Sequence, residues 1–347
     1  MQRFFLFLNI VIFALGCKNK SYSPPSTGLA QEDANTNFIV AFGSCNKQDV
    51  TNPFWDDITL QNPNVWIWGG DIVYANTDNM DELKAIYNKQ GKNKGYQLLK
   101  SKVPVIGTWD DNDYGLNDGG EEFFMKRESQ QLFLDFMEIP KDDKRRNREG
   151  VYASHTYKTP KGSIKILVLD TRYFRSQLLK DENLNRRYKV NYESDATVLG
   201  TEQWKWLENE LSTSEADFNL IVSSIQFLSA EHGFETWGNF PKEVEKLNKL
   251  IMESKAKGAM ILSGDRHISE FSKTTLENME YPLIDFTSSG LTHSYSSYAG
   301  EPNRFRVGEV TSVPSFGIIE LNMNNKEAHL KIMGENGMVF QELKQVY

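Results

Sequence analysis

The sequence predicts an α/β protein with helices layered over two β-sheets. Short apolar runs alternate with helical stretches from residue 38 to residue 262. The runs are near-continuous rather than alternating, as expected of strands covered on both faces. After Thr275 the pattern changes to short strands with turn chemistry, including Met323-Asn324-Asn325. Strand–helix alternation followed by an all-strand tail suits two sheets, each needing helices or the other sheet to bury its faces.

The strands are expected at Phe38–Phe42, Val65–Trp68, Val103–Ile106, Ile164–Leu169, Leu220–Ser223 and Ala259–Leu262. Helices are expected over Asp78–Leu99, with Leu83, Ile86, Tyr87 and Leu98, and over Glu121–Met137. Two more are expected over Thr201–Leu211, with Trp204, Leu207 and Leu211 on one face, and over Glu243–Ser254, with Val244, Leu247 and Leu250. Thr201 lacks an acid three residues on, so a single side chain rather than a capping box is expected there. Trp66, Trp68, Trp204 and Trp206 are read as core.

Residues 1–16 (MQRFFLFLNIVIFALG) have one early Arg and an apolar run from Phe4 to Leu15. The run is short for a spanning helix of about 20 residues and fits an export signal. Ala14-Leu15-Gly16-Cys17 resembles a bacterial lipoprotein cleavage box, which would leave a lipidated Cys17 as a membrane anchor. Residues 17–36 contain Pro24-Pro25 and read as a flexible tether. Residues 37–347 are read as one catalytic domain in the bacterial cell envelope. Cys45 would then be the one thiol left for chemistry, as a core filler, a nucleophile or a metal ligand.

The chain has 347 residues, 39% of them hydrophobic, and a formal net charge of −8. It is too apolar for a disordered chain. The one clustered run of Lys and Arg, 141–148, is interleaved with acids, so double-stranded nucleic acid is not an expected partner. Two Cys exclude a disulfide scaffold. No oligomer signal is present, and a monomer is expected.

Four apolar runs end in polar clusters: FGSCN at 42–46, GGDIVY at 69–74, GTWDDNDY at 107–114 and SGDRH at 263–267. Ligands bind outside the carboxyl ends of strands in open α/β sheets, and the glycines allow sharp turns there. Each cluster has a plain alternative: a turn, a cap, a core thiol, a solvated acidic loop. Jointly they gather carboxylates, a thiol, a phenol and an imidazole. Several carboxylates in one pocket need a counter-cation. Carboxylate oxygens suit calcium, and a thiolate, phenolate and imidazole suit a stronger Lewis acid, with iron leading. A two-metal site serves phosphate-ester hydrolysis.

With LDTRYFR at 169–175 and LGTEQWKWL at 199–207 added, the set resembles the PhoD-like alkaline phosphatases, a branch of the calcineurin-like metallophosphoesterases. The resemblance runs over nearly all of residues 37–321. It implies a four-layer α/β/β/α sandwich with two mixed β-sheets. It also implies a hydrolase of phosphate mono- or diesters, acting by attack of a metal-bound oxide or hydroxide on phosphorus. Cys45, Asp71, Tyr74 and His267 would hold Fe(3+). Asp71 would bridge to Ca(2+), held also by Asp110 and Asp265. Arg172 and Arg175 would contact the phosphate of a small-molecule ester, unless Arg172 instead pairs with Asp170. Asn46 and Asn112 would donate to phosphate or complete the shell of the second metal. Many members have His where Asn112 stands, which leaves leaving-group protonation to water, to Asp111 or to no group at all.

His293 is a candidate for lining the pocket, and His232, near Phe234 and Trp237, for its rim. His155 and His329 are read as structural. Gln226 lies where superfamily relatives place a ligand histidine. Without a preceding β-sandwich or a covering C-terminal helix, an open cleft is expected. Two other readings remain: a lipid-anchored binder of phosphorylated ligands or calcium without turnover, and a Cys45 nucleophile.

Overall fold

The computed structural model describes residues 37–183 and 186–347; the expected signal, Cys17 and tether lie outside the described residues. The chain order is β1 (Asn37–Gly43), α1 (Trp55–Leu60), β2 (Val65–Gly69), α2 (Met80–Gly91), α3 (Lys94–Lys102), β3 (Val105–Thr108), α4 (Asp111–Tyr114), α5 (Lys126–Phe136), β4 (Ala153–Thr159), β5 (Gly162–Val168), β6 (Leu179–Lys180), β7 (Tyr188–Lys189), α6 (Gly200–Ser212), β8 (Phe218–Val222), α7 (Pro241–Ser254), β9 (Ala259–Ser263), β10 (Ser269–Thr274), β11 (Leu283–Ser288), β12 (Arg306–Thr311), β13 (Phe316–Asn322), β14 (Glu327–Met333) and β15 (Val339–Val346).

One sheet has the order β15-β14-β13-β1-β2-β3, the other β12-β10-β11-β9-β8-β5-β4. Both are mixed. β1, β2 and β3 run parallel, and β1 pairs antiparallel with β13. In the second sheet β5, β8, β9 and β11 run parallel and β4 and β10 pair antiparallel at the flanks.

The near-continuous apolar strands divide their side chains by parity. Val65 and Ile67 of β2 face a central layer shared with Ile166, Leu220, Leu262 and Phe286 of the other sheet. Trp66 and Trp68 face the opposite way, onto Trp55, Leu83, Tyr96 and Leu99 of α1–α3. On the far side Leu167, Ile221 and Ile261 pack against Leu207 and Leu211 of α6 and Leu247 and Ile251 of α7. Three apolar layers between four structural layers give the α/β/β/α sandwich expected. The Trp residues follow suit: Trp66, Trp68 and Trp204 are buried and Trp206 half-buried.

Three local expectations are corrected. The helix expected over Asp78–Leu99 is two, because Asn93 leaves the helical path and caps α3, accepting the Tyr96 N–H at 3.1 Å. The stretch expected as helix from Glu121 becomes helical only at Lys126, with turns before it. Thr201 does not cap α6, which starts at Gly200; the Thr197 hydroxyl accepts the Gly200 N–H at 2.9 Å instead.

Glu243 anchors that turn. Its buried Oε2 accepts from Thr197 Oγ1 (2.7 Å), the Val198 N–H (2.7 Å) and Trp204 Nε1 (2.8 Å). Replacing Glu243 with Ala strands buried donors and is expected to lower unfolding free energy by about 2–4 kcal/mol, read from urea denaturation.

Candidate metal centre

The carboxyl ends of β1, β2, β3 and β9 converge, and each sends its polar cluster into one recess. Two glycines permit the approach. Gly70 has φ +102°, and a Cβ there would lie 2.6 Å from Asp110 Cβ. Gly107 has φ +152°, and a Cβ would lie 2.4 Å from the Trp68 carbonyl oxygen. Four functional residues are themselves left-handed: Cys45 (φ 61°), Asp71 (48°), Asp265 (68°) and His267 (56°). Such conformations are uncommon outside glycine and persist where the surroundings over-determine them.

Asp71 is the centre of the recess. Its Oδ2 accepts from Tyr74 Oη (3.0 Å), Asn112 Nδ2 (3.1 Å) and, at 3.5 Å, Cys45 Sγ, while Oδ1 accepts the Asn112 N–H at 3.2 Å. Tyr74 Oη also lies 2.9 Å from His267 Nε2. Two donor sets share Asp71: Cys45, Asp71 and His267, and Asp71, Asp110 and Asp111, with the ligand atoms of each within 4.8 Å of one another.

Asp110 is held by one oxygen. Oδ1 accepts from Arg172 Nε (2.6 Å) and Ser224 Oγ (2.5 Å), while Oδ2 is buried without a partner. An orphaned carboxylate oxygen beside Asp71 and Asp111 fits a cation. The Asn112 amide nitrogen bridges Asp71 Oδ2 and Asp111 Oδ1 (2.8 Å), so positive polarity already lies between the two acids. The donor chemistry agrees: thiol, phenol, imidazole and carboxylate on one side, carboxylates alone on the other.

The electrostatics of the bare site point the same way. Burial, then repulsion from Asp111 and Asp110, pushes the Asp71 carboxyl well above the usual range. Burial and Asp110 do the same to Asp265. At Asp110 burial outweighs Arg172 and raises the group to about 7. Burial and Asp71 push the Cys45 thiol and the Tyr74 phenol up. A cation pair would relieve each of these.

Of the sequence-derived candidates, Cys45, Asp71, Tyr74, Asp110, Asp111, Asn112, Asp265, His267 and His293 gather in or around this recess. The second donor set brings in Asp111 rather than Asp265. Asp265 remains half-buried alongside, coupled electrostatically to Asp110 and Asp111. His293 packs against His267 (ring centroids 4.4 Å) and Tyr74 (5.0 Å).

Three expectations are corrected. Asn46 does not face the recess: Nδ2 donates to the Ile72 carbonyl (3.0 Å) and Gln90 Oε1 (2.9 Å), and Oδ1 accepts from Asn52 Nδ2 (3.1 Å). Arg172 and Arg175 are fully buried and held by carboxylates, Arg172 by Asp110 (2.6 Å) and Glu235 (2.7 Å), Arg175 by Glu235 (2.9 Å). Both guanidinium groups are turned onto buried carboxylates, so direct phosphate contact gives way to a structural role, Arg172 fixing Asp110 and Arg175 holding Glu235. The Arg172 main chain, by contrast, does bind Asp170, whose Oδ1 accepts its N–H at 2.9 Å. The open cleft also gives way to a recess. Its floor of Cys45, Asp71, Asp110 and Asp111 is buried, and Tyr74, Asp265, His267 and His293 on its other side are half-buried.

Elsewhere, Trp237 is core, packed on Phe227 and Trp204, and does not line a groove. Gln226 hydrogen-bonds Glu270 and Thr287 (both 2.9 Å). Sequence reasoning missed Glu235, Ser224 and Ser289. Nothing local marks them: Glu235 meets Arg172 from 63 residues away, and Ser289 Oγ meets Cys45 Sγ (3.0 Å) from 244.

A four-layer sandwich whose strand ends carry two donor sets joined by a shared Asp frames the site. The model of the PhoD-like phosphatase family matches residues 76–332, and the chain belongs to that family. The chain is 23% identical over 277 residues to alkaline phosphatase D of Bacillus subtilis (strain 168), covering 70% of this chain and 47% of that protein. It thus spans about half the length of the curated relative it matches. A solved structure of PhoD superposes with a TM-score of 0.71 at 16% identity, over 90% of this chain and 69% of that one. A dimetal phosphatase from Danio rerio gives 0.52 at 12%, over 89% and 99%. GAP50, the anchor in the inner membrane complex of Plasmodium, gives 0.57 at 13%, over 89% of each chain. At these identities the structures share a fold. The family match begins downstream of Cys45 and Asp71, so those two enter the site by geometry.

Proposed function

We propose that the protein is a two-metal phosphoric-ester hydrolase acting on phosphate mono- or diesters. One observation carries this reading: Asp71 lies in both donor sets, each with its ligand atoms within 4.8 Å. Cys45, Asp71, Tyr74 and His267 would hold the softer site, suited to Fe(3+). Asp71, Asp110 and Asp111, with Asp265 alongside, would hold the hard site, suited to Ca(2+). Bound cations supply Lewis-acid polarisation of a phosphoryl group and acidify water.

The chain's own residues do the positioning. Arg172 and Ser224 fix one oxygen of Asp110 and leave the other free. Tyr74 aligns Asp71 with His267. Asn112 has no titratable proton near neutral pH, so the leaving group takes its proton from solvent. Cys45 is fully buried with its thiol pushed up, a poor setting for a nucleophile; a bound cation would supply the charge that holds it as a thiolate. Export and anchoring through Cys17 rest on the amino-terminal sequence alone. Among the described residues no helix is long and apolar enough to cross a membrane.

The second reading, a binder of phosphorylated ligands without turnover, draws on Asn112 standing where the family resemblance places a His. Elemental analysis of purified protein, paired with p-nitrophenyl phosphate and its bis ester, separates the two. Iron and calcium with turnover supports the hydrolase. Bound metal and phosphate without turnover supports the binder, and protein inert and metal-free under metal-replete expression overturns both.

A further inference from the structure

The arginines that would have taken a phosphoryl oxygen are locked against carboxylates, so the recess needs another cation on its accessible side. Lys47 is there. Its ammonium lies 5.3 Å from the centre of the Tyr74 ring, the phenol that touches Asp71 and His267. Among the described residues it has no carboxylate partner, and the neighbouring acid Asp49 is taken by Lys89.

Its position is built rather than incidental. The Lys47 N–H donates to Thr292 Oγ1 (2.8 Å), and the Thr292 hydroxyl and N–H both reach the Cys45 carbonyl (3.2 and 3.3 Å). The segment carrying Thr292 and His293 is thereby fastened to the segment carrying Cys45 and Lys47. His293 Nε2 is buried without a partner, its ring against His267 and Tyr74.

We propose that Lys47, with His293 beside it, forms the anion-binding edge of the site and takes a non-bridging oxygen of the substrate phosphoryl group. An ammonium on a flexible stem is a donor-only point charge that suits a tetrahedral oxyanion. The proposal rests on the phosphoesterase reading above.

The test uses the metal-loaded full chain, inorganic phosphate in calorimetry and p-nitrophenyl phosphate in steady-state kinetics. Lys47→Met is expected to raise the phosphate Kd and the KM roughly tenfold, as loss of a charge-assisted contact would. Iron and calcium contents stay unchanged, and kcat stays within about threefold. Lys47→Arg restores most of the affinity. Added salt weakens phosphate binding to the wild type more than to Lys47→Met. Should Lys47→Met not fold, Lys47→Gln replaces it, and His293→Gln is expected to raise Kd in the same direction. An active wild type with Kd and KM unchanged in the Lys47 variants overturns the proposal, as does loss of metal in them. A wild type that neither binds phosphate nor turns over instead overturns the hydrolase reading itself.

Discussion

Asp71→Asn is expected to remove turnover of p-nitrophenyl phosphate by at least roughly 10³-fold and to deplete both metals together. Asn is the informative replacement because Asp71 is left-handed, φ 48°, a conformation Asn tolerates and Ala does not. Asp71→Ala would mix backbone strain with ligand loss. The variant retains shape but loses the charge shared by both donor sets. Stability separates this from simple misfolding. The bare wild type carries a buried carboxyl pushed up by desolvation, Asp111 and Asp110. Removing that group is expected to leave the metal-free variant at least as stable as metal-free wild type near pH 8. Full metal content and activity in Asp71→Asn would refute the shared-ligand assignment. Loss of one metal alone would refute the bridging role.

The layers were legible because burial on both faces leaves a direct trace in sequence: Val65-Trp66-Ile67-Trp68 has no polar position to alternate with. The break between α2 and α3 was also written there, in Gly91-Lys92-Asn93, but apolar periodicity on either side masked it. α4 has four residues, too few to show any period, so Asp110-Asp111 could equally be a solvated loop. The motif residues nearest the recess were recognisable as chemistry. What surrounds them was not. LDTRYFR looks like a phosphate-binding arginine motif, yet Asp170 accepts the Arg172 and Tyr173 N–H groups (both 2.9 Å) and so aims Arg172 inward. Gln203 of α6 holds Asp170 in turn, accepting its N–H at 2.8 Å. The Gln203 link spans 33 residues and the Arg172 links to Asp110 and Glu235 span 62 and 63, and pairings of that range leave no local signature. The same holds for Lys47, which gains a role only once Thr292 is found at its side.

Metal removal is expected to make stability depend on pH in a direction opposite to that of a protein held by ordinary ion pairs. In the bare site desolvation and mutual repulsion raise Asp71 and Asp265 well above the usual carboxylate range, and raise Asp110 to about 7 despite Arg172. The unfolded chain releases these protons near pH 4. Between that pH and the folded values, the native state therefore binds more protons than the unfolded one, and stability falls as pH rises. Metal-free protein should melt highest in mild acid and lose several degrees, roughly 5–10 °C, between pH 5 and pH 8. Metal-loaded protein should not, since the cations replace the protons and binding releases them. The two ions should also separate on chelation. A calcium chelator is expected to strip the carboxylate set first, because the thiol, phenol and imidazole around Cys45 hold iron more tightly. Activity should then return on adding calcium alone. Parallel melting curves for chelated and loaded protein across this pH range would mean that the recess holds no cations, and the two-metal reading would fail with them.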